Sequence, residues 1–426
     1  MAGHRAPDNI IPMTSTTPSR LSRRAALGTA LAGALLLTSA LPATAATPAA
    51  TARSSSNSHP TGSHPHPLPP LDTDALRAAI SDLNHPQVTG AQVRVDGTAG
   101  RWQGTAGVAD IKTGRPIGPN DKFRIGSITK VFVATVVLQL SAEHRVDLNA
   151  PIQRYLPGLL PDRFPPITIT QLLNHTSGLP DESGPDIPDT STPEKVLQHR
   201  YDQWTPERIV ATVTRAKKMK FTPGSKQEYR GINYVLAAML IEKVTGHSYG
   251  KEIATRILRP LHLNNTSVPG NDPKIHGPHV HGYLAMTDGT LKDATDFNQT
   301  VAWGEGEMIS TTRDLDRFIS ALFTPGKLLP PATLNQMFTL PAKHVHMLDG
   351  SPARYSTGLQ TVTINGITVW GKTGERYGYY SAMVSTKDQQ RRAIYSFNPT
   401  HRDATQTQLA LRIANALTTP PAPTHS

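Results

Sequence analysis

Strand-like alternation in this chain is confined to its two ends, and everything between them reads as helix. Near the start of the folded part, Ala91, Val93 and Val95 alternate with polar neighbours, and Trp102, Gly104, Ala106 and Val108 do the same after a Gly97-Thr98-Ala99-Gly100 turn, the pattern of a hairpin. Four further strand-like segments (356–364, 367–370, 379–385 and 392–397) come only near the end. Helical periodicity fills the interval at 168–174, 206–216, 233–245, 249–258 and 312–323, and short helices are expected at 71–83 and 404–417. Such an order predicts an α/β fold in which one antiparallel sheet is built from both ends of the chain. The middle is then a large helical insertion, with a cleft at the seam.

The insertion begins with a helix whose residues 131–140 are apolar nearly all round, as expected for a helix buried inside the domain. It is too short to span a bilayer. At its head stand Ser127 and Lys130, one turn apart on the same face, so that the amine can take the proton a serine must lose to attack a carbonyl. The helix dipole would favour negative charge on the attacked group, and burial beside that positive end would favour the neutral amine. The same spacing recurs at Ser248 and Lys251. Ser248, however, follows the helix stop Gly246-His247 and reads as the N-cap of the next helix.

Not all of the 426 residues belong to that fold. Ser22-Arg23-Arg24-Ala25 opens an uncharged stretch that reaches Leu41 and precedes Ala43-Thr44-Ala45, a small-x-small cleavage pattern. Residues 1–45 therefore read as a secretory signal of the twin-arginine kind, with an apolar core shorter than the roughly 20 residues of a membrane span. Residues 46–71, rich in Pro, Ser, Thr and His, read as a disordered linker, and 72–420 as the globular domain. The expected location is outside the cell, with no stable membrane span. The chain has no cysteine, so an exported form relies on its core rather than on disulfides. Its net charge of +11 would draw it towards anionic cell-wall polymers or serve solubility alone, and no basic block or aromatic-interleaved stripe points to nucleic acid.

Lys372-Thr373-Gly374 supplies the second half of the pattern, a strand edge to set opposite Ser127. With Phe123-Arg124-Ile125-Gly126-Ser127-Ile128-Thr129-Lys130, Leu172-Leu173-Asn174-His175-Thr176-Ser177-Gly178-Leu179 and Met239-Leu240-Ile241-Glu242-Lys243-Val244-Thr245-Gly246, the chain resembles the secreted serine-type D-Ala-D-Ala carboxypeptidases. The wider group includes class C β-lactamases and related esterases and aminopeptidases. The resemblance implies a DD-peptidase/β-lactamase-like fold, Ser127 as the acylated nucleophile, Lys130 as its proton partner and Tyr229 as the relay to the leaving group. It further implies Lys372 and Thr373 as substrate-holding residues, the backbone amides of Ser127 and Glu375 as the oxyanion hole, and Trp303 on the cleft-lining loop. It implies no cofactor. Expected ligands are a peptidoglycan stem peptide or a small amide or ester, with β-lactams as acylating ligands.

Three departures set this chain apart from a standard carboxypeptidase. The family's Tyr-x-Asn, whose asparagine holds the substrate amide, is here Tyr229-Arg230-Gly231, with Asn233 two residues further on. The arginine that captures a terminal carboxylate is replaced by Gln360, leaving Arg376 or Arg230 as substitutes. The loop Trp303-Gly304-Glu305-Gly306-Glu307 carries two acids, expected to repel an anionic substrate. His276, His279 and His281 are not expected to hold metal. The leading expectation is an exported serine hydrolase working through an acyl-enzyme, D-Ala-D-Ala carboxypeptidase-like or a related D-amino-acid peptidase. The alternatives are an esterase with the same nucleophile and a peptidoglycan-binding protein without turnover.

Overall fold

A computed structural model describes residues 67–83 and 87–420 of the protein. The signal region and most of the linker lie outside them. Seven strands form the main sheet: β1 (Val88–Asp96), β2 (Trp102–Asp110), β3 (Arg115–Pro116), β4 (Gln360–Ile364), β5 (Ile367–Arg376), β6 (Tyr379–Ser385) and β7 (Arg392–Pro399). Their spatial order is β4-β5-β6-β7-β1-β2-β3, all neighbours antiparallel. The two ends of the chain meet where β1 pairs with β7, Val93 opposite Tyr395 and Val95 opposite Ala393.

Alternation along these strands divides the core between the two faces of the sheet. Ala91, Val93, Tyr395 and Phe397 pack under α1 (Thr73–Ser81) and the C-terminal helix (Ala404–Thr418), against Leu76, Ile80, Leu409 and Ile413. Met383 and Ile394 point the other way, into the larger core shared with α2 (Thr129–Ala142), α3 (Ile232–Thr245) and α4 (Thr312–Phe323). As expected from its apolar circumference, α2 is buried along Thr129–Leu138, and Phe132 stacks on Phe318 of α4 at 3.8 Å. Each fully buried Val, Leu or Phe contributes about 1.5–3 kcal/mol, so this helix anchors its own N-terminus firmly.

Two boundaries differ from the sequence reading. The folded part begins before residue 72: the Leu68 amide donates to Gln390 Oε1 at 2.7 Å and Arg391 donates to the Pro69 carbonyl at 2.6 Å, pinning the last linker residues to the sheet. Strand β5 runs to Arg376 rather than stopping at Trp370, because Lys372–Arg376 continue to pair with β6, Gly374 opposite Ser381 and Arg376 opposite Tyr379. Its other edge is free over that stretch, since β4 reaches only to the pair Gln360 and Gly371. That unpaired edge receives the nucleophile turn.

Candidate active site

Ser127 lies in a single 3-10 turn, Gly126–Ile128, that leads into α2. The turn is pressed onto the free edge of β5. Gly126 has φ +51°, and a Cβ there would come within 2.5 Å of the Glu375 nitrogen, so only glycine fits. A Cβ on Gly374 would likewise lie 2.0 Å from the Ile125 carbonyl and 2.9 Å from the Ser127 nitrogen. The Ser381 hydroxyl donates to that Ile125 carbonyl at 3.0 Å, tying the turn to β6 as well. Glycine in the motif thus serves contact between two backbones. The contact brings the turn that carries the Ser127 amide onto the strand that carries the Glu375 amide, the two donors an oxyanion hole here would use.

Lys130, buried in the first turn of α2, reaches Ser127 Oγ at 3.1 Å. Its Nζ also donates to the Glu305 carbonyl at 2.7 Å and forms an ion pair with the Glu305 carboxylate. A short strand pair puts Glu305 there: Phe123 and Arg124 pair with Ser310 and Ile309, and the Ile125 amide donates to the Met308 carbonyl at 3.0 Å. The Met308 amide in turn donates to Thr129 Oγ1 at 3.2 Å, locking the loop onto the head of α2. Burial pushes the Lys130 pKa down and Glu305 opposes that shift, while Arg376 adds to it.

Gly231 explains how the carboxylate fits. A Cβ on Gly231 would stand 3.1 Å from Glu305 Cδ and 3.2 Å from its Oε2, so Glu305 occupies the space beside the position where the family carries its asparagine. Asn233 does not take over that role. It is fully buried and committed to Ser177, whose Oγ donates to it at 2.7 Å, and to His175 at 3.1 Å. Arg230 does not reach the cleft either, being buried against Asp181, Glu182 and the Pro180 carbonyl.

Tyr229 projects between the two lysines, its ring 5.1 Å from Lys130 Nζ and 4.6 Å from Lys372 Nζ. The ring packs on His175 at 4.5 Å and Tyr355 at 5.2 Å. His175 organises this corner. The Arg230 amide donates to its Nδ1 at 3.2 Å, so Nδ1 is an acceptor and the ring is the neutral Nε2–H tautomer. Burial, with Lys130 and Lys372 nearby, holds the His175 pKa well below the usual imidazole value. The Tyr229 hydroxyl is buried and makes no hydrogen bond of ordinary geometry, although Ser127 is near enough to favour its ionisation slightly. Burial and the Glu305 charge outweigh that effect and push its pKa well up, leaving a neutral phenol with a proton to give.

On β5, the Lys372 Nζ donates to Gln360 Oε1 at 3.3 Å and to the Thr373 carbonyl at 3.0 Å. Gln360 therefore faces the site as a neutral partner of the lysine. Burial first, then Lys130, lowers the Lys372 pKa to about 7. Thr373 is half-buried on the same strand, in register with Ala382. The Glu375 side chain pairs with Arg402 at 3.3 Å, while Arg376 Nε donates to Gln299 Oε1 at 2.5 Å.

A cavity of about 110 Å³ opens beside Ser127, with Trp204, Phe297, Val301, Glu305, Glu375 and Arg376 among its walls. A smaller apolar chamber of about 50 Å³ adjoins it behind Gly231 and shares Trp204, Val301 and Glu305. Trp303, expected on the cleft wall, is turned away from both: it packs edge-on against Tyr249 at 4.8 Å and lines a separate surface hollow with Ser248 and Val268. Glu307 is also outside the cleft, fully buried on the Tyr249 hydroxyl and accepting from the Gly270 and Gly304 amides at 3.1 and 3.2 Å. Of the two loop acids, only Glu305 faces the serine. Ser248 caps its helix by accepting from the Lys251 amide at 3.2 Å. His276 pairs with Asp272 and His281 with Asp293, and among the described residues no three His, Cys, Asp or Glu side chains gather to hold a metal ion. The aromatic lining from Trp204 and Phe297 belongs to no motif in the sequence. Its only signal is the placing of large apolar residues in otherwise polar loops.

A serine touched by a buried lysine at a helix head, with a neutral tyrosine and a lysine-bearing strand edge around it, defines a serine hydrolase. The Beta-lactamase family model matches residues 76–418, and the chain belongs to that family. It is similar in structure to a D-stereospecific amidohydrolase from Streptomyces sp., at TM-score 0.70 and 36% identity over 81% of this chain and 98% of the other. A D-amino acid amidase from Ochrobactrum anthropi SV3 superposes at TM-score 0.66 and 26% identity, covering 80% of this chain and 97% of that one. Penicillin-binding protein 4* of Bacillus subtilis is 27% identical over 331 residues, 73% of this chain and 68% of its own length.

Proposed function

We propose that the protein is an exported hydrolase of D-aminoacyl amides and short D-amino-acid peptides that works through an acyl-enzyme on Ser127. The observation that carries this reading is an intact Ser127–Lys130 pair beside a cleft that has lost both carboxypeptidase contacts, to Gly231 and Gln360. The substrate class is supported by the similarity to a D-stereospecific amidohydrolase and a D-amino acid amidase. Export is supported by the paired arginines Arg23-Arg24 and the cleavage pattern at Ala43-Thr44-Ala45.

In this reaction Ser127 Oγ bonds to the carbonyl carbon while its proton passes to a neutral Lys130 Nζ. The carbonyl oxygen becomes an oxyanion held by the Ser127 and Glu375 amides. The carbon–nitrogen bond then breaks as the leaving nitrogen takes a proton from Tyr229, which Lys130 replenishes. Water completes the cycle by attacking the ester, and the acid product and free Ser127 are released. The apolar walls from Trp204, Phe297 and Val301 suit a large apolar side chain on the acyl residue.

A second reading, cleavage of stem peptides ending in free D-Ala-D-Ala, is favoured by one feature, the Arg376 guanidinium on the cavity wall. The two are separated by kcat/KM for D-phenylalanine amide, L-phenylalanine amide and a diacyl-Lys-D-Ala-D-Ala peptide. D-Phenylalanine amide is expected to be best; a preference for the free-acid peptide would establish the second reading and overturn the first.

A further inference from the structure

We propose that Glu305 receives a free α-ammonium group on the substrate, and that in receiving it the carboxylate releases Lys130, so that the substrate itself unmasks the base. The inference rests on the amidohydrolase reading and adds to it the requirement for an unblocked amine next to the scissile carbonyl.

Charge balance in the cleft leads to this conclusion. Four carboxylates line the two connected cavities: Glu182, Asp202, Glu305 and Glu375. Three have partners outside the catalytic group: Glu182 on Arg230 at 2.7 Å, Asp202 on His199 at 2.8 Å and Glu375 on Arg402 at 3.3 Å. Glu305 alone is paired with a residue of the reaction itself. Its side chain is 19% exposed, while Lys130 beneath it is 1% exposed, so the carboxylate stands between the lysine and the cavity. Gly231 leaves the far side of the carboxylate open, and the apolar walls Trp204 and Val301 flank it.

A lysine held against a carboxylate keeps its proton and cannot accept another from Ser127. Were Lys130 simply to deprotonate, Glu305 would lose its hydrogen-bonded ion-pair partner and keep only the longer-range attraction of Arg376 and Lys372, which is costly for a largely buried charge. A substrate ammonium seated on Glu305 removes that cost by replacing one cation with another, and Lys130 gives its proton to solvent. The remaining groups facing Lys130 favour its release once Glu305 is engaged: Arg376 is cationic, Lys372, with its pKa lowered to about 7, adds positive charge in its protonated fraction, His175 is neutral, and the Tyr229 and Tyr234 rings carry no charge. No atom of Glu305 enters the bond making or breaking, so it is a specificity and positioning residue.

The test compares D-phenylalanine amide with its N-acetyl derivative on the wild type and on Glu305→Gln, alongside the p-nitrophenyl ester of 3-phenylpropionic acid, which lacks the amine. The wild type is expected to favour the free amine by about 10- to 100-fold in kcat/KM, the range of one charged hydrogen bond, and Glu305→Gln to bring the two amides to near parity. Within the wild type, the acid limb of kcat is expected at lower pH for the amine substrate than for the ester, a shift that a merely structural role for Glu305 would not produce. Ser127 acylation by the ester with equal rates on free and acetylated amides, or a preference that survives Glu305→Gln, overturns the inference and leaves the hydrolase reading standing. Failure of all three compounds to acylate Ser127 overturns both.

Discussion

Restoring the asparagine that this family carries should damage this enzyme. Gly231 sits at φ −63° and ψ −43°, a helical conformation open to any residue, so the backbone tolerates Gly231→Asn. The side chain does not fit so easily. A bare Cβ would already stand 3.1 Å from Glu305 Cδ and 3.2–3.4 Å from its oxygens, and the asparagine amide extends two bonds beyond that point. The Glu305 carboxylate must therefore leave its place against Lys130. Losing a charged hydrogen bond at a largely buried pair costs about 1.5–3 kcal/mol, or a factor of roughly 10–100 in kcat/KM on a free-amine substrate. With Glu305 displaced, the carboxylate charge that holds the lysine protonated is gone, so the acid limb of kcat for the amine-free ester moves to lower pH. Gly231→Ala serves as the control, since it asks Glu305 to give by only a few tenths of an ångström. The assay is the pH profile of p-nitrophenyl ester and D-phenylalanine amide turnover for both variants. An asparagine variant with wild-type amide kinetics and an unmoved acid limb would refute the assignment of Glu305 to that space.

Two further outcomes follow from the same corner of the molecule. Tyr229→Phe should lower amide turnover at least about a hundredfold, as expected for a positioned proton donor, yet leave the melting temperature nearly unchanged, because the lost hydroxyl makes no hydrogen bond of ordinary geometry in the folded protein; a large drop in melting temperature with little loss of rate would reverse that assignment. His175, held neutral when folded, makes the unfolded chain the better proton acceptor below about pH 6.5, so stability should fall as pH is lowered through that value, and His175→Gln should flatten the dependence in a series of thermal melts.

Much of this architecture was legible in the sequence where local chemistry decides it. Ala91, Val93 and Val95 declared β1 by alternation, and the apolar circumference of residues 131–140 declared a buried helix. The pairing of Ser127 with Lys130 follows from their three-residue spacing at the head of a buried helix, a context that Ser248 and Lys251 lack. What sequence could not reveal depends on pairing between distant segments. The length of β5 depends on β6 continuing to offer partners as far as Tyr379. The place of Glu305 depends on Phe123 and Arg124 finding Ile309 and Ser310, which swings the loop over α2. The missing asparagine was visible and the acids were visible, but not that one occupies the space beside the other. Glu307 and Trp303, two residues either side of the functional acid, contact Tyr249 instead of the cleft.

Ser127 is the residue expected to carry the acyl group, and intact-protein mass spectrometry after brief exposure to a penicillin or to the phenylpropionyl ester reads that out. One acyl mass should appear, map to the peptide containing Ser127, and be absent from Ser127→Ala, with Ser248→Ala labelled like the wild type. Label that persists in Ser127→Ala, or maps to Ser248, would contradict it.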